Sequence, residues 1–369
     1  AADTMTDADG VATADDIEAG STMIILVATP PTGVPVGTQA LVIAGIEPGD
    51  DIHIDPEDTE GERLGAMNIS WPVFDGAQNY VVSNGCSTGT TNDTVTNLDY
   101  YEGCTPGNDA TVLIRAIDGA DTTLGWLGDT TAFADGQPFD VGGTWSAPRA
   151  VEITVSDIPS EAQRVNVGLH PARGAVSYGS VSLPEIELTE DPVVTHLAAP
   201  RSFADSNQVT LSFLPNQPSF GENGLALRVA ASETELGVAL ADELLPWYGV
   251  PLFDSPTRTF SWARSSGLDP DAQFIAMFWM DKDATAGATF VMVPPGVTSI
   301  TVPELPAEIE RFLPDNPSQV SIQVQAGEAS DLDGYRAARQ TGFSLIYSPP
   351  PLGLEQPSTL RHASAGSDF

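Results

Sequence analysis

The chain has few basic residues. Lys and Arg together number 14, against 51 Asp and Glu, so the formal net charge at pH 7 is −37. A surface of this charge repels nucleic acid and anionic membranes, and neither is expected as a partner. It attracts cations, Ca²⁺ among them. The charge is typical either of a protein from a salty habitat, where ions screen its self-repulsion, or of an acidic secreted protein in any medium.

Long apolar runs and clustered metal-binding side chains are also missing. No apolar run approaches the ~20 residues that cross a bilayer, so membrane insertion is not expected. The four histidines share no metal-ligand spacing, and no Gly-rich phosphate loop follows a strand. The two cysteines have no His or further Cys at ligand spacing, which disfavours a metal site there. These absences favour a non-catalytic protein.

The residues that are present indicate many short strands. Apolar residues make up 41% of the chain, and its 34 Gly and 30 Pro are typical of strands joined by turns. The clearest strand contains Met67, Ile69 and Trp71, which alternate with polar residues, as in a strand with one buried face. Pro72 ends it, and residues 74–77 form a turn before the alternation resumes.

This strand–turn–strand resembles the B and C strands of a fibronectin type III domain, in which a Trp fills the space between two sheets. The resemblance continues downstream and places a long connection, residues 119–143, before the last strand. It implies a β-sandwich with a role in binding, adhesion or spacing, and it supplies no catalytic residues. The further matching segments are residues 94–98 (E strand), 110–118 (F strand) and 145–155 (entry to the G strand).

The last third of the chain repeats this pattern. Phe260-Ser-Trp262 matches Ile69-Ser-Trp71, and three later segments follow in the same order. We therefore predict an all-β protein of two or three tandem antiparallel β-sandwich domains, fibronectin III- or immunoglobulin-like. Leu236, Leu240 and Leu244 have helical spacing and predict one short helix. The predicted divisions are an acidic linker (1–20), a fibronectin III-like sandwich with extra N-terminal strands (21–157), a second sandwich (158–245), a fibronectin III-like sandwich (246–350) and a tail (351–369).

In the fibronectin-like arrangement Cys86 follows the C strand and Cys104 lies in the E–F connection. A disulfide between them is expected if the protein is exported, and two reduced thiols are the alternative. The opening residues 1–4, Ala-Ala-Asp-Thr, are typical of a mature end left by export processing. We therefore expect an extracellular or cell-surface location.

Three acidic clusters are candidate Ca²⁺ sites, because carboxylate oxygens are the ligands that Ca²⁺ prefers. Solvated loops are the alternative for each cluster, so the cofactor prediction is either none or Ca²⁺. The candidate ligands are Asp7 and Asp9; Asp50, Asp51 and Asp55; and Asp331 and Asp333.

The functional expectation is a non-catalytic structural or adhesion protein, as a subunit of a surface assembly or filament. Its partners would be a cell-surface or extracellular protein or glycan, or a second copy joined by β-strand pairing. The apolar residues 22–28 would supply that strand, although pairing within the chain is the default. The alternative is a set of carbohydrate- or calcium-binding modules. Four tryptophans would then line a sugar-binding face, or would instead be buried plugs: Trp126, Trp145, Trp247 and Trp279.

The charge balance generates a first prediction. Added NaCl should raise the melting temperature, because it screens the self-repulsion of the −37 chain. Occupied Ca²⁺ sites would add a further rise at millimolar CaCl₂. Scanning calorimetry at matched ionic strength in NaCl, MgCl₂ and CaCl₂ checks both points. A melting temperature that falls with NaCl contradicts the electrostatic interpretation, and equal effects of CaCl₂ and MgCl₂ remove the support for selective calcium sites.

Overall fold

A computed structural model describes residues 12–14, 17–27, 38–52, 62–216, 220–280, 286–303, 319–341 and 358–366. Nearly all of its regular structure is β-strand, which confirms the predicted all-β class. Across these ranges the one α-helix is α1, Gly334–Thr341, and three short 3-10 helices occur at Glu102–Cys104, Pro106–Asn108 and Leu240–Asp242. No helix in the described ranges is long and apolar enough to cross a membrane.

The first group of strands, called the first unit, forms two sheets around one core. One sheet has the order β6-β3-β9 and the other β5-β4-β7-β8. Ile69, Trp71, Tyr80 and Ile114 pack in the core between them. The strands are β3 (Arg63–Ser70), β4 (Asn79–Ser83), β5 (Thr88–Thr91), β6 (Val95–Tyr101), β7 (Asp109–Ile117), β8 (Thr123–Ala132) and β9 (Pro138–Asp140).

The second unit follows directly. A small sheet, β15-β10-β18, covers one face of β11, β16 and β17. Val165, Leu211 and Phe213 lie in the core that the two layers share. The strands are β10 (Arg149–Ser156), β11 (Ala162–Arg173), β12 (Val176–Ser177), β13 (Val181–Ser182), β14 (Ile186–Glu187), β15 (Val193–Ala199), β16 (Ser206–Pro215), β17 (Glu222–Ala230) and β18 (Glu235–Ala239).

The third unit has the same two layers. The small sheet β19-β20-β23 shares a core with the strands β21, β22, β24 and β25. Trp262, Trp279 and Tyr248 are buried in that core. The strands are β19 (Leu252–Asp254), β20 (Thr259–Ser261), β21 (Ala272–Met280), β22 (Ala286–Val293), β23 (Ser299–Thr301), β24 (Gln319–Ala329) and β25 (Thr359–Gly366).

The order of strand pairing recurs in all three units. The opening strand pairs antiparallel with a later one: β3 with β6, β10 with β15, and β20 with β23. The next strand is β4, β11 or β21. It pairs on one side with the strand or strands that follow it in the chain, and on the other with β7, β16 or β24. That strand in turn pairs with β8, β17 or β25. The connectivity is therefore the same three times, although the sequences differ.

One sheet runs through the second and third units. β25 pairs antiparallel with β24 on one side and with β17 on the other. At the far end, β1 (Ser21–Val27) pairs with β2 (Thr38–Ile46), and β2 pairs in parallel with β22. Together with the short strands on β11 the sheet has twelve strands.

Two predicted placements at the chain ends differ from the structure. Residues 359–366 were expected in a tail, but they are β25, a central strand of the long sheet. The strands β1 and β2 were grouped with the first unit, but Ala40 and Val42 pack in the core of the third. Residues 1–11 and 15–16 of the predicted linker lie outside the described residues, and Ile17 packs beside the long sheet.

Two predictions inside the chain are wrong. The predicted last strand of the first unit is wrong, because β8 takes that place within the residues predicted as a long connection. Asp118 accepts hydrogen bonds from the amides of Ala120 and Thr122 and so closes a short turn between β7 and β8. Residues 145–155, expected as the entry to the G strand of the first unit, run into β10 (Arg149–Ser156), which belongs to the second unit. The helix predicted around Leu236 and Leu240 is instead strand β18 and a 3-10 turn, because β18 pairs in parallel with β10.

The docking of β25 generates a second prediction. Gly221 precedes β17, and a Cβ at this position would overlap the main chain of Ser364 in β25. Gly221→Ala should therefore lower the free energy of unfolding by about 1–3 kcal/mol, as overpacking does. Urea unfolding followed by circular dichroism measures it. The matched control is Gly237→Ala in β18, where a Cβ meets nothing within 4 Å; equal stability of the two variants contradicts this placement of β25.

Candidate functional site

Strand β7 is buried on both faces, and this defines a junction between the first two units. Val112 and Ile114 face the core of the first unit. Leu113, on the opposite face, belongs with Trp126 to the hydrophobic cluster of the second unit. The outer face of the sheet β5-β4-β7-β8 is therefore covered, along part of its width, by the second unit.

Aromatic and cationic side chains close this junction. Tyr178 and Phe203 pack edge to face with ring centroids 5.1 Å apart. Gly128 in β8 lies directly under Phe203, because a Cβ there would overlap the ring. Arg173 places its guanidinium 5.3 Å from the Phe203 ring centroid and donates a 2.8 Å hydrogen bond to Thr130. The contacts join β8 directly to β11.

The predicted disulfide is confirmed. Cys86 follows β4 and Cys104 ends a 3-10 helix between β6 and β7, with their Cα atoms 5.4 Å apart. Cys104 is fully buried and packs in the second unit's cluster. Beside it, a Cβ at Gly85 would overlap Val176. The disulfide thus holds two loops of the first unit against the second unit.

Arg115 is a buried cation at the edge of the same junction. It lies on β7 between Val81 of β4 and Trp126 of β8 in the sheet register. Its side chain is 8% exposed, and its partners are distant: Asp121 Oδ1 at 3.5 Å and Thr123 Oγ1 at 3.4 Å. Its Nε has no hydrogen-bond partner among the described residues. Burial lowers the pKa of Arg115, and Asp121 only partly opposes that shift.

Two other arginines, the buried Arg339 and the partly buried Arg361, have closer ion-pair partners. Arg361 joins Glu243 and Glu328, and it also donates to the Glu243 carbonyl at 2.9 Å. Burial alone would lower the pKa of Arg361, but the two carboxylates outweigh it and raise the pKa. Arg339 lies 3.0 Å from Asp50 and also donates to the Gly45 carbonyl. The Nε of Arg339 also has no hydrogen-bond partner within the described ranges, so the difference lies in the ion pairs: Arg115 has one acid at 3.5 Å and is the under-paired member of the three.

The candidate calcium ligands are not assembled in the described part of the chain. Asp50 is buried and serves as the counter-ion of Arg339, and it also accepts from the Glu47 amide at 2.8 Å. Asp51 follows it in the chain, where residues 51–52 have no regular secondary structure. Across the described ranges no group of three or more His, Cys, Asp and Glu side chains could hold a metal ion. Asp7, Asp9 and Asp55 lie outside the described residues.

Asp331 and Asp333 lie near a third acid, Asp271, which is committed to the backbone. Asp271 accepts hydrogen bonds from the amides of Ala329 at 3.0 Å and Gly334 at 3.1 Å. Burial is the main cause that raises the pKa of Asp271, and the nearby Asp333 and Asp331 add to it. Asp271 therefore fixes the backbone of the turn before α1.

The tryptophans are mostly buried plugs. Trp126, Trp247 and Trp279 are each at most 3% exposed. Trp145 is half-buried and donates from Nε1 to the Pro72 carbonyl at 3.0 Å. A sugar-binding face built from these four rings is therefore not present.

A Gly-x-Ser-x-Gly sequence, Gly85-Cys-Ser-Thr-Gly89, lies in the turn beside the disulfide. In serine hydrolases this motif forms a strand-to-helix turn that exposes the serine. Here it joins β4 to β5, two strands of one hairpin. The side-chain oxygen of Asn84 accepts from the Ser87 amide at 2.8 Å and from its hydroxyl at 3.2 Å. The motif is therefore part of a turn and lacks the geometry of a nucleophile.

Strand β1 is the second candidate surface. It has seven residues, none of them charged, and among the described strands it pairs only with β2. Met23 and Ile25 pack on one face of the long sheet and Ile24 on the other. Its side chains are anchored within the chain, and its outer backbone edge faces none of the described strands. The default expectation of pairing within the chain therefore holds in this structure.

The sequence interpretation did not single out Arg115. The available signal was a lone charge inside an apolar strand, Val112-Leu-Ile-Arg-Ala-Ile117, in a chain with only 14 basic residues. A buried charge is costly unless it is paired, so such a position marks either an internal ion pair or a binding site.

Comparisons with known proteins add little. No family model matches the chain, and no curated protein matches it. Among solved structures it is similar to a leucine-rich repeat protein from Bacteroides thetaiotaomicron VPI-5482, at 14% identity over 47% of this chain and 26% of that one. The TM-score is 0.18, which is too low to support an argument about fold or function.

The disulfide generates a third prediction. Replacing both cysteines, as in Cys86→Ser with Cys104→Ser, should lower the free energy of unfolding by about 3 kcal/mol in the chain-entropy model for an 18-residue separation. Urea unfolding gives the value, and mass spectrometry of unreduced peptides reports the bond. Free thiols on both residues in the native protein would contradict the pairing. Since the bond lies at the junction, proteolysis of the double variant should cut first near residues 84–105.

Proposed function

We propose that the protein is a non-catalytic structural or adhesive protein of the extracellular space or cell surface. In this proposal three tandem fibronectin III-like β-sandwich units form its body, and strand pairing through β1 joins one copy to the next.

The threefold recurrence of strand pairing carries the proposal. In the first and third units a Trp, Trp71 or Trp262, follows the opening strand and is buried in the core, as the fibronectin resemblance implies. Tandem modules of one topology are typical of proteins that space or present surfaces. The resemblance applies least well to the second unit, where Ile158 follows β10 and packs against the core.

The joints between the units support a structural role. The second and third units are joined by backbone hydrogen bonds between β17 and β25. The first and second units share an apolar junction beside a disulfide. Joints of this kind resist bending, which suits a protein that transmits force or holds spacing.

An exported location is supported by the disulfide. Disulfides persist mainly in oxidising compartments such as the cell exterior. The acidic surface, with a net charge of −37, keeps such a protein soluble in salt.

Self-association is supported by β1. Natural sheets commonly protect their edges with charges, prolines or bulges, and a long uncharged edge strand is prone to pair with another chain. β1 carries a bulge near Ser21 but no charge along its seven residues. A second copy is the partner that the proposal assigns to this edge.

A single edge charge tests the assembly. Thr22 is exposed on β1, and Thr22→Lys places a cation on the edge without entering either core. We expect the wild-type chain to form concentration-dependent oligomers by light scattering after size exclusion, and the variant to be monomeric with an unchanged melting temperature.

The control places the same charge on a different edge strand. Val194 on β15 is 51% exposed, and β15 pairs only with β10 among the described strands. Val194→Lys should leave assembly unchanged. A wild-type chain that is monomeric at every concentration measured contradicts self-association, as does a Thr22→Lys variant that assembles like the wild type.

A ligand-binding module is the second candidate function. It is favoured by one observation, the pocket in which the under-paired Arg115 lies. The calcium-binding form of this alternative depends on the melting temperatures in CaCl₂ and MgCl₂ described above.

A further inference from the structure

The pocket beside Arg115 lies at the edge of the junction between the first two units. Its volume is about 350 Å³, at the low end of the range for small-molecule sites. Residues of β4, β5, β7 and the turn after β7 line it, and Ser180, between β12 and β13, contributes from the second unit. Two units therefore build it.

Arg115 has no close ion-pair partner in this pocket, although two carboxylates, Asp118 and Asp121, also line it. Arg115 is 8% exposed, and its nearest acid, Asp121, is 3.5 Å away with a side chain that is 66% exposed. A buried guanidinium with one unpaired donor and two long contacts destabilises the fold unless another group meets it. Arg361, in contrast, has two carboxylates and a carbonyl. The chain thus pairs the largely buried Arg361 closely, and gives Arg115, which lines a pocket, one acid at 3.5 Å.

The surroundings limit the charge of a ligand that Arg115 could hold. A guanidinium binds a carboxylate or other oxyanion through two parallel hydrogen bonds. Asp118 and Asp121 also line the pocket, and the whole chain is strongly negative. These charges disfavour a dianion such as sulfate or phosphate, because the repulsion grows with the ligand's charge. A group with a single negative charge fits best.

The remaining polar side chains define the rest of the ligand. Asn79, Thr88, Thr90 and Ser180 supply an amide and three hydroxyls around the pocket. The carboxylate of Asp121 is exposed enough to accept a hydrogen bond from a ligand hydroxyl. Groups of this kind recognise a molecule with many hydroxyls.

We infer that this pocket binds a sugar acid, a sugar ring with one carboxylate that Arg115 holds and hydroxyls that Thr88, Thr90 and Asp121 hold. The source is either a free sugar acid or the end of an acidic polysaccharide. The inference is independent of assembly through β1, which lies at the far end of the long sheet.

Calorimetric titration of the full chain tests the inference with named probes. We expect D-galacturonate or D-glucuronate to bind, and D-galactose, which lacks the carboxylate, to bind about tenfold more weakly or less. Tighter binding of tri-galacturonate than of the monomer assigns the polysaccharide source, and equal binding assigns the free acid. Sulfate that binds as tightly as the sugar acids would overturn the inference, because the pocket would then be a general anion site.

Variants locate the binding. Arg115→Gln should weaken sugar-acid binding about tenfold or more, because a charged hydrogen-bonding partner is lost. Thr90→Ala changes an exposed residue of β5 and should weaken binding several-fold without affecting the fold, so it decides the matter if Arg115→Gln is unstable. The matched control is Arg164→Gln, since Arg164 is paired with Glu185 at 2.6 Å on the surface of the second unit. Absence of binding to either sugar acid, or binding that Arg115→Gln and Thr90→Ala leave unchanged, would overturn the inference.

Discussion

The hydrogen bonds of β25 are the interaction on which the rest of the architecture depends. This eight-residue strand joins β24 of the third unit to β17 of the second. Without it, both neighbours would present unpaired edges, and the two cores would be separate bodies connected by the segment between β18 and β19. With it, the sheet runs from β11 to β1 without a break, and the first unit adds to its side through β7 and β8. The continuity of the sheet through the second and third units therefore depends on this one strand.

Buried cations in a very acidic chain form the second organising feature. The protein has 14 basic residues, and several are used inside the fold. Arg339 ties α1 to Asp50 and to Gly45 at the end of β2, and Arg361 ties β25 and β24 to Glu243. Each of these arginines fixes two distant segments, and each removes acids from the surface charge. Arg115 differs from them, because its one acidic partner lies 3.5 Å away and it lines a pocket. This difference is the reason for proposing a ligand there.

The strands with large alternating residues could be predicted from the sequence. Ile69 and Trp71, or Ile322 and Val324, leave a period-two pattern that gives both the strand and its buried face. The matched order of Ile69-Ser-Trp71 and Phe260-Ser-Trp262 pointed to repeated topology. Cys86 and Cys104 could be placed because the resemblance located them at neighbouring loops.

The strands made of small residues could not be predicted. β8 contains two glycines, one of them required under Phe203, and β25 buries Ala363 and Ala365, which are too small to give a clear pattern. The sequence of β18 predicts a helix because the spacing of Leu236 and Leu240 fits 3.6 residues per turn. Pairing with β10 nevertheless makes it a strand. The role of Asp50 could not be predicted either. It lies in an acidic cluster, and nothing in the sequence shows that it is the buried counter-ion of Arg339, almost 290 positions away.

Hydrogen exchange of the amides in residues 359–366, followed by mass spectrometry on the full chain, tests the continuous sheet most directly. The structure places these amides between two neighbouring strands. We expect them to exchange as slowly as the amides of β24 and β17, because all of them are protected by opening of the same sheet. Exchange within seconds in β25, while β24 and β17 stay protected, would contradict the shared sheet and with it the joined arrangement of the second and third units.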